Sequence, residues 1–164
     1  NWSQYVRQYA KRGHILSDID WLTRHFTEVL YLPEEASDWL IDLYRSIQLF
    51  DDVADGDPVD RKDLDHVLWH MMVGQYSNAF FAQKSATLVP LLANAILKWQ
   101  ASDHVEREGD VDARSFMWRA GYYDIILTVV QLCHGQEVAK ESAHLIMRMY
   151  GEKYEDYLEE FSNA

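Results

Sequence analysis

The stretch Ser115–Cys133, SFMWRAGYYDIILTVVQLC, constrains the fold more than any other, because drawn as a helix it is apolar around nearly its whole circumference. At about 100° per residue, Phe116, Tyr122, Tyr123, Ile126, Val129, Val130 and Cys133 fall on one broad side, and Asp124, Thr128 and Gln131 share a narrow polar strip. A helix of that kind belongs in the middle of a bundle, with other helices as its walls. Arg119 projects among Tyr122, Tyr123 and Ile126, where a guanidinium needs a carboxylate partner to be tolerated.

The flanking sequence supplies the walls. Ser3 can cap a first helix carrying Val6, Tyr9 and Ala10 that ends near Gly13, and Ser17 with Asp20 resembles a capping box ahead of Ile19, Leu22, Phe26, Val29 and Leu30. Pro33 separates this from a helix over 34–55 whose core face reads Ala36, Leu40, Leu43, Ile47, Phe50 and Ala54. Asp57 and Pro58 form an N-cap and first-turn pair for a helix running to about Lys84, with Leu64, Leu68, Met71, Met72, Gln75 and Ala79 as its core face. Pro90 opens a shorter helix through Leu92, Ile96 and Trp99, and residues 102–111 carry the clearest loop signature. Beyond Gly135, Val138, Ala139, Ile146 and Met149 mark another helix, and Tyr154, Tyr157, Leu158 and Phe161 a closing one. No stretch alternates with period two. The expectation is an all-α, single-domain bundle of about seven or eight helices over residues 1–164, with no internal repeat.

Composition decides which partners are reasonable. The formal net charge of −12 argues against direct nucleic-acid binding, which is driven by Lys and Arg displacing counterions from phosphates. Cys133 is the single cysteine, so no intrachain disulfide forms and a reducing compartment is expected; its place on the apolar side of the central helix reads as a small buried hydrophobe. The N-terminal residues lack the apolar core of a signal peptide, and no window reads as about 18 uncharged apolar residues. A soluble, cytoplasmic chain without membrane contact is the expectation.

The run Phe50-Asp51-Asp52-Val53-Ala54-Asp55-Gly56-Asp57 holds the strongest candidate for chemistry. Aspartates one helical turn apart can share Mg²⁺, whose octahedron is completed by water and phosphate oxygens. Asp51, Asp52 and Asp55 form a DDxxD pattern that resembles the first aspartate-rich motif of class I prenyl diphosphate synthases. The resemblance covers about ten residues, and it implies Mg²⁺ holding a diphosphate, with Asp124 of the central helix as a further ligand. The same residues also have a purely structural reading. Asp51 sits at the edge of the Leu40/Leu43/Ile47/Phe50 stripe and could pair with Arg119, while Asp57, Asp60 and Asp63 suit a cap and the first turn of the next helix.

Two further patterns fail on geometry. Glu35 with Asp38 and Asp52 with Asp55 have a spacing similar to all-α nucleotide pyrophosphohydrolases, yet no turn separates them, so they lie some 17 residues or roughly 25 Å apart on one helix. Asp63/His66 and Glu141/His144 resemble the carboxylate-x-x-His pairs of ferritin-like di-iron bundles, but His66 and His70 project opposite the Leu64/Leu68/Met72 face and His144 shares its face with Glu137 and Arg148. No nucleophile triad, phosphate loop or CxxC pattern is present in the sequence. What remains is a small acidic helical protein that acts by binding a protein partner or by self-association and uses no cofactor; its rival is a Mg²⁺-dependent enzyme on a diphosphate substrate. If the aspartates are structural, millimolar Mg²⁺ or Mn²⁺ leaves the thermal midpoint unchanged and Asp51→Asn/Asp55→Asn lowers it. A metal-induced rise that disappears in the double variant is the outcome expected of the enzyme.

Overall fold

The computed structural model describes residues 18–162, so the helix expected on Val6, Tyr9 and Ala10 and the Ser3 and Ser17 caps lie outside the described residues. Every regular element within that range is a helix, without a strand among the described residues. Residues 18–24 form α1, which continues into a π turn, His25–Val29. There follow α2 (Glu34–Asp55), α3 (Arg61–Trp69), a second π turn (His70–Gly74), α4 (Gln75–Ser77), α5 (Ala79–Glu108), α6 (Ala113–Trp118), α7 (Gly121–His134), α8 (Gln136–Met149) and α9 (Tyr154–Ser162). The chain divides into two compact units, the first reaching to Gln83 and the second starting at Lys84. α5 is continuous through that boundary, which is why the sequence shows no linker there.

In the first unit α2 is the main wall. Glu34 and Glu35 sit in its first turn, at the positive end of the dipole, and Gly56 closes it in the left-handed conformation (φ 74°) that glycine adopts without strain. The buried face is Ala36, Ser37, Trp39, Leu40, Leu43, Ser46 and Leu49. This is rotated from the expected stripe, since Ile47 is half-buried and Phe50 and Ala54 are exposed. Trp39 sets the rotation: its indole is fully buried and stacks on Phe81, with ring centroids 5.6 Å apart, beside Phe80 at 6.3 Å. The Ser46 hydroxyl is accommodated in the core by donating to the Asp42 carbonyl at 2.8 Å.

Several helix boundaries differ from the sequence reading. The helix expected to open on the Asp57–Pro58 pair starts at Arg61, capped by Asp60, whose carboxylate accepts from the Lys62 N–H at 2.8 Å. Asn78 is extended (φ −77°, ψ 119°) and interrupts the helix expected to run to Lys84. Its carboxamide oxygen accepts from the Phe81 N–H at 3.0 Å and its NH₂ donates to the Glu35 carbonyl at 2.9 Å, so one side chain both caps α5 and ties it to α2. Pro90, expected to open a helix, lies inside α5 instead, and the polar run 102–108 belongs to the last turns of α5 rather than to a loop. A proline in mid-helix removes one donor, and the rest of the 30-residue helix carries on past it.

The second unit contains the expected central helix, in two pieces. α6 opens with a capping box, in which the Asp112 carboxylate accepts from the Arg114 N–H at 2.8 Å and the Ser115 hydroxyl accepts from the Asp112 N–H at 3.1 Å. The helix stops at Arg119–Ala120 and restarts at Gly121, where α7 comes so near α5 that an added Cβ would meet Ala95 Cβ at 3.0 Å. Tyr122, Ile125, Ile126, Val129 and Val130 then form the buried face of α7, which packs on Ala139, Ile146 and Met149 of α8. Gly135 (φ 90°) makes the connection between the two helices.

The break at Arg119 explains what the helical projection could not. The guanidinium lies 3.7 Å from Glu106 and 3.5 Å from Glu152, and stacks over the Tyr157 ring with 5.2 Å to its centroid. The Tyr157 hydroxyl donates to Glu106 at 2.9 Å, and it lies 2.8 Å from the Ser115 hydroxyl. Burial, with the negative charge of Glu106 beside it, pushes the Tyr157 phenol up to about 12. Carboxylates of the kind the sequence requires are supplied by Glu106 and Glu152. Because Arg119→Ala leaves the nearly buried Glu106 carboxylate without this cation, it should destabilise the fold by about 3–5 kcal/mol in denaturant melts; a loss below about 1 kcal/mol would show the cluster to be dispensable.

Candidate interaction face

α3 and the π turn that follows it direct Val67 and two histidines, rather than their larger apolar stripe, toward α2. The buried residues here are Val67 and, in the π turn and α4 that follow, His70 and Gln75. Of the expected core face, Gln75 is buried and Met71 half-buried, whereas Leu64, Leu68, Met72 and Ala79 are exposed, so the assignment of these four to the core is corrected here; His70, on the opposite side and therefore expected to face solvent, is buried. The cause is a polar cluster against α2. Asp42 of α2 offers one carboxylate oxygen to His66 Nε2 at 2.9 Å and the other to His70 Nδ1 at 3.5 Å. His66 keeps an exposed edge, whereas the His70 residue is only 5% exposed. Gln75, one turn further on, is satisfied locally by donating to the Met71 carbonyl at 3.0 Å.

The π turn keeps both sides of this helix in register. Residues four apart drift by about 40° in an α-helix, so Leu64, Leu68, Met72 and Tyr76 would spiral by roughly 120° across three turns. A π turn advances only about 80° per residue, and the stretch His70–Gly74 cancels most of the drift. Leu64, Leu68, Met72 and Tyr76 consequently form one nearly axial row, Trp69 and Val73 a second beside it, and Val67, His70 and Gln75 a third facing inward. All six large apolar residues of the outer rows are between 40% and 69% exposed. The glycine at 74 has its own part in this, since its α-carbon lies under the Trp69 indole and an added Cβ would touch Trp69 Cδ1 at 3.5 Å.

The electrostatics of the inner side follow from burial. Removal from water makes His70 harder to protonate than usual; Asp42 opposes this and His66 adds to it. Asp38, one turn before Asp42, has its carboxyl pushed up by burial and then by the charges of Glu34, Asp42 and Glu35.

The metal ligands expected from sequence are placed as follows. Asp51 and Asp52 are half-buried on the last turns of α2 and Asp55 is its exposed final residue, all in the first unit. Asp124 is exposed in the first turn of α7, in the second unit, and pairs with Lys98 at 3.1 Å. Among the described residues no three His, Cys, Asp or Glu side chains gather around a point that a metal ion could occupy. Glu35, Asp38, Asp52 and Asp55 do share the single helix α2, as the spacing argument required. Cys133 is half-buried and its thiol is pushed up by burial, against the pull of Lys84, so it is a poor nucleophile. α5 is long and apolar enough to cross a membrane by length and composition, a window the sequence reading had divided at Pro90, and 17% of that window is buried.

No family model, curated protein or solved structure matches the chain.

Two residues central to this face, Asp42 and Trp69, were not singled out from sequence. Asp42 stood on the flank of the α2 stripe among several acidic residues, and only the crossing of α2 and α3 selects it. Because folded His70 resists protonation while unfolded His takes a proton below about pH 6.5, acid should favour the unfolded chain. Denaturant melts at about pH 7.5 and about pH 5.5 should show the wild type losing more stability on acidification than His70→Gln. Equal losses would mean that burial of His70 is not the origin.

Proposed function

We propose that this protein is a helical binding module that docks a protein partner on the outer face of α3. The observation that carries this reading is the double row Leu64/Leu68/Met72/Tyr76 and Trp69/Val73, six large apolar side chains left in water on one side of a helix. Single exposed apolar residues are ordinary on any surface; a contiguous, aligned group of this size is the usual mark of an interaction site. Trp and Tyr supply large contact area with few rotatable bonds, and both are enriched among residues that dominate binding energy. A π turn is also an uncommon element that recurs at functional positions.

The rival reading, a Mg²⁺-dependent enzyme acting through Asp51, Asp52, Asp55 and Asp124, has no observation in its favour beyond the DDxxD spacing. The docking reading has a direct consequence for stability. Residues kept for a partner contribute little to the isolated fold, so Leu68→Glu/Met72→Glu should shift the free energy of unfolding by no more than about 0.5–1 kcal/mol. A photo-crosslinking amino acid at position 72, introduced in cells of the native host, should give one or a few protein adducts of discrete mass that disappear when Leu68 is also changed to Glu. An adduct of twice the chain's own mass would make the partner a second copy. No adduct at position 72 beyond that at the exposed Lys140 of α8 would overturn the proposal, and strong destabilisation by the glutamates would make the rows structural.

A further inference from the structure

Building on the docking role proposed above, we infer that the occupant of the α3 face is a helical segment of a partner protein that carries Lys or Arg beside its own apolar stripe. The shape of the face selects a helix. Leu64 to Tyr76 spans about 18 Å, or three turns at 1.5 Å per residue, and a straight double row offers a groove between its lines into which the ridge of another helix can settle. Strand addition has nothing to attach to, since no strand edge exists among the described residues.

Charge selects the chemistry of that helix. The stretch 51–65 holds seven aspartates against Arg61 and Lys62, and it leads directly into the N-terminal end of both rows. Asp55, Asp57, Asp63 and Asp65 are exposed there. Asp65 continues the Trp69/Val73 row by one turn, so a ligand lying along that row ends against a carboxylate. The whole chain, at −12, adds a long-range field of the same sign. That field repels a second copy of this chain and an anionic membrane surface, and it steers a basic segment toward the face. The apolar rows then hold what the charges have gathered, and the basic residues of the partner lie at the end of its helix nearest residues 51–65.

The test uses the full-length protein and fluorescent synthetic helices of about 18 residues. One has a Leu face and Lys elsewhere, one replaces Lys with Glu, and one scrambles the Leu/Lys order so that no apolar face forms. Anisotropy titrations at about 50 mM and about 300 mM NaCl compare wild type, Asp63→Asn/Asp65→Asn, Leu68→Glu/Met72→Glu, and Glu137→Gln/Glu141→Gln, an equal change of charge on exposed positions of α8 in the second unit. Circular dichroism confirms that each variant is folded. The Leu/Lys helix should bind the wild type, weaken about tenfold at the higher salt, and lose about three- to tenfold in Asp63→Asn/Asp65→Asn with little loss in Glu137→Gln/Glu141→Gln. Leu68→Glu/Met72→Glu should abolish binding, and the scrambled and Glu peptides should not bind. Equal binding of the Leu/Glu helix, or equal loss in the two charge variants, would overturn the basic partner and leave the docking face standing. Binding by the scrambled peptide would overturn the helix. Binding indifferent to Leu68→Glu/Met72→Glu, or no binding at all together with flotation of the wild type on anionic vesicles that those glutamates abolish, would overturn the basic helical partner and the protein-docking role together.

Discussion

The orientation of α3 rests on one carboxylate shared between two imidazoles. Asp42 meets His66 and His70 on successive turns, and with Gln75 this gives an inner side that is polar apart from Val67. Once that side faces α2, the apolar rows have nowhere to go but outward. Fully burying a side chain of Leu, Met or Phe type is worth about 1.5–3 kcal/mol, and the arrangement forgoes much of that for Leu64, Leu68 and Met72. The polar contacts give back less, because Asp42 and His66 keep part of their surface in water, where a charged contact is worth about 1 kcal/mol or less. Such an imbalance is what a surface maintained for something other than folding looks like.

The second unit handles its ionisable groups in the opposite way. Arg119 is enclosed by Glu106, Glu152 and the Tyr157 ring, and the Tyr157 and Ser115 hydroxyls complete a network with Glu106. The aromatic group of Phe116, Tyr150, Tyr154 and Tyr157 surrounds it, at centroid distances near 5.2 Å from Phe116. The network joins the short helices α6 and α9 to the end of α5. The polar atoms of this network serve cohesion, while those of the Asp42 cluster aim a helix.

Much of this was readable from the residues, for physical reasons that vary by element. The all-α class followed from the absence of period-two alternation. The apolar run in α7 identified the best-packed helix of the second unit because Ile126, Val129 and Val130 recur with helical period regardless of neighbours. Arg119 declared its need for a carboxylate, although not which one, since Glu106 and Glu152 lie 13 and 33 residues away in the chain. The outward face of α3 was not legible because the usual rule for amphipathic helices assigns the stronger apolar stripe to the core, and only the contacts of Asp42 with His66 and His70 turn it the other way. Asn78 and Pro90 were misread for a local reason: an Asn cap and a tolerated mid-helix proline are decided by tertiary contacts.

The π turn at His70–Gly74 makes this helix tolerant of a change in chain length at one place and intolerant elsewhere. Five residues at about 80° turn the helix as far as four at about 100°, so one residue more than an α turn requires is stored there while everything downstream keeps its direction. Deleting that residue would leave an ordinary α turn, with Gln75 still facing inward and Tyr76 still on the row begun by Leu64. A residue gained or lost in the α-helical turns on either side would instead rotate the rest of the helix by about 100°. The same change in length is therefore silent inside the π turn and a switch of surface identity a few residues away.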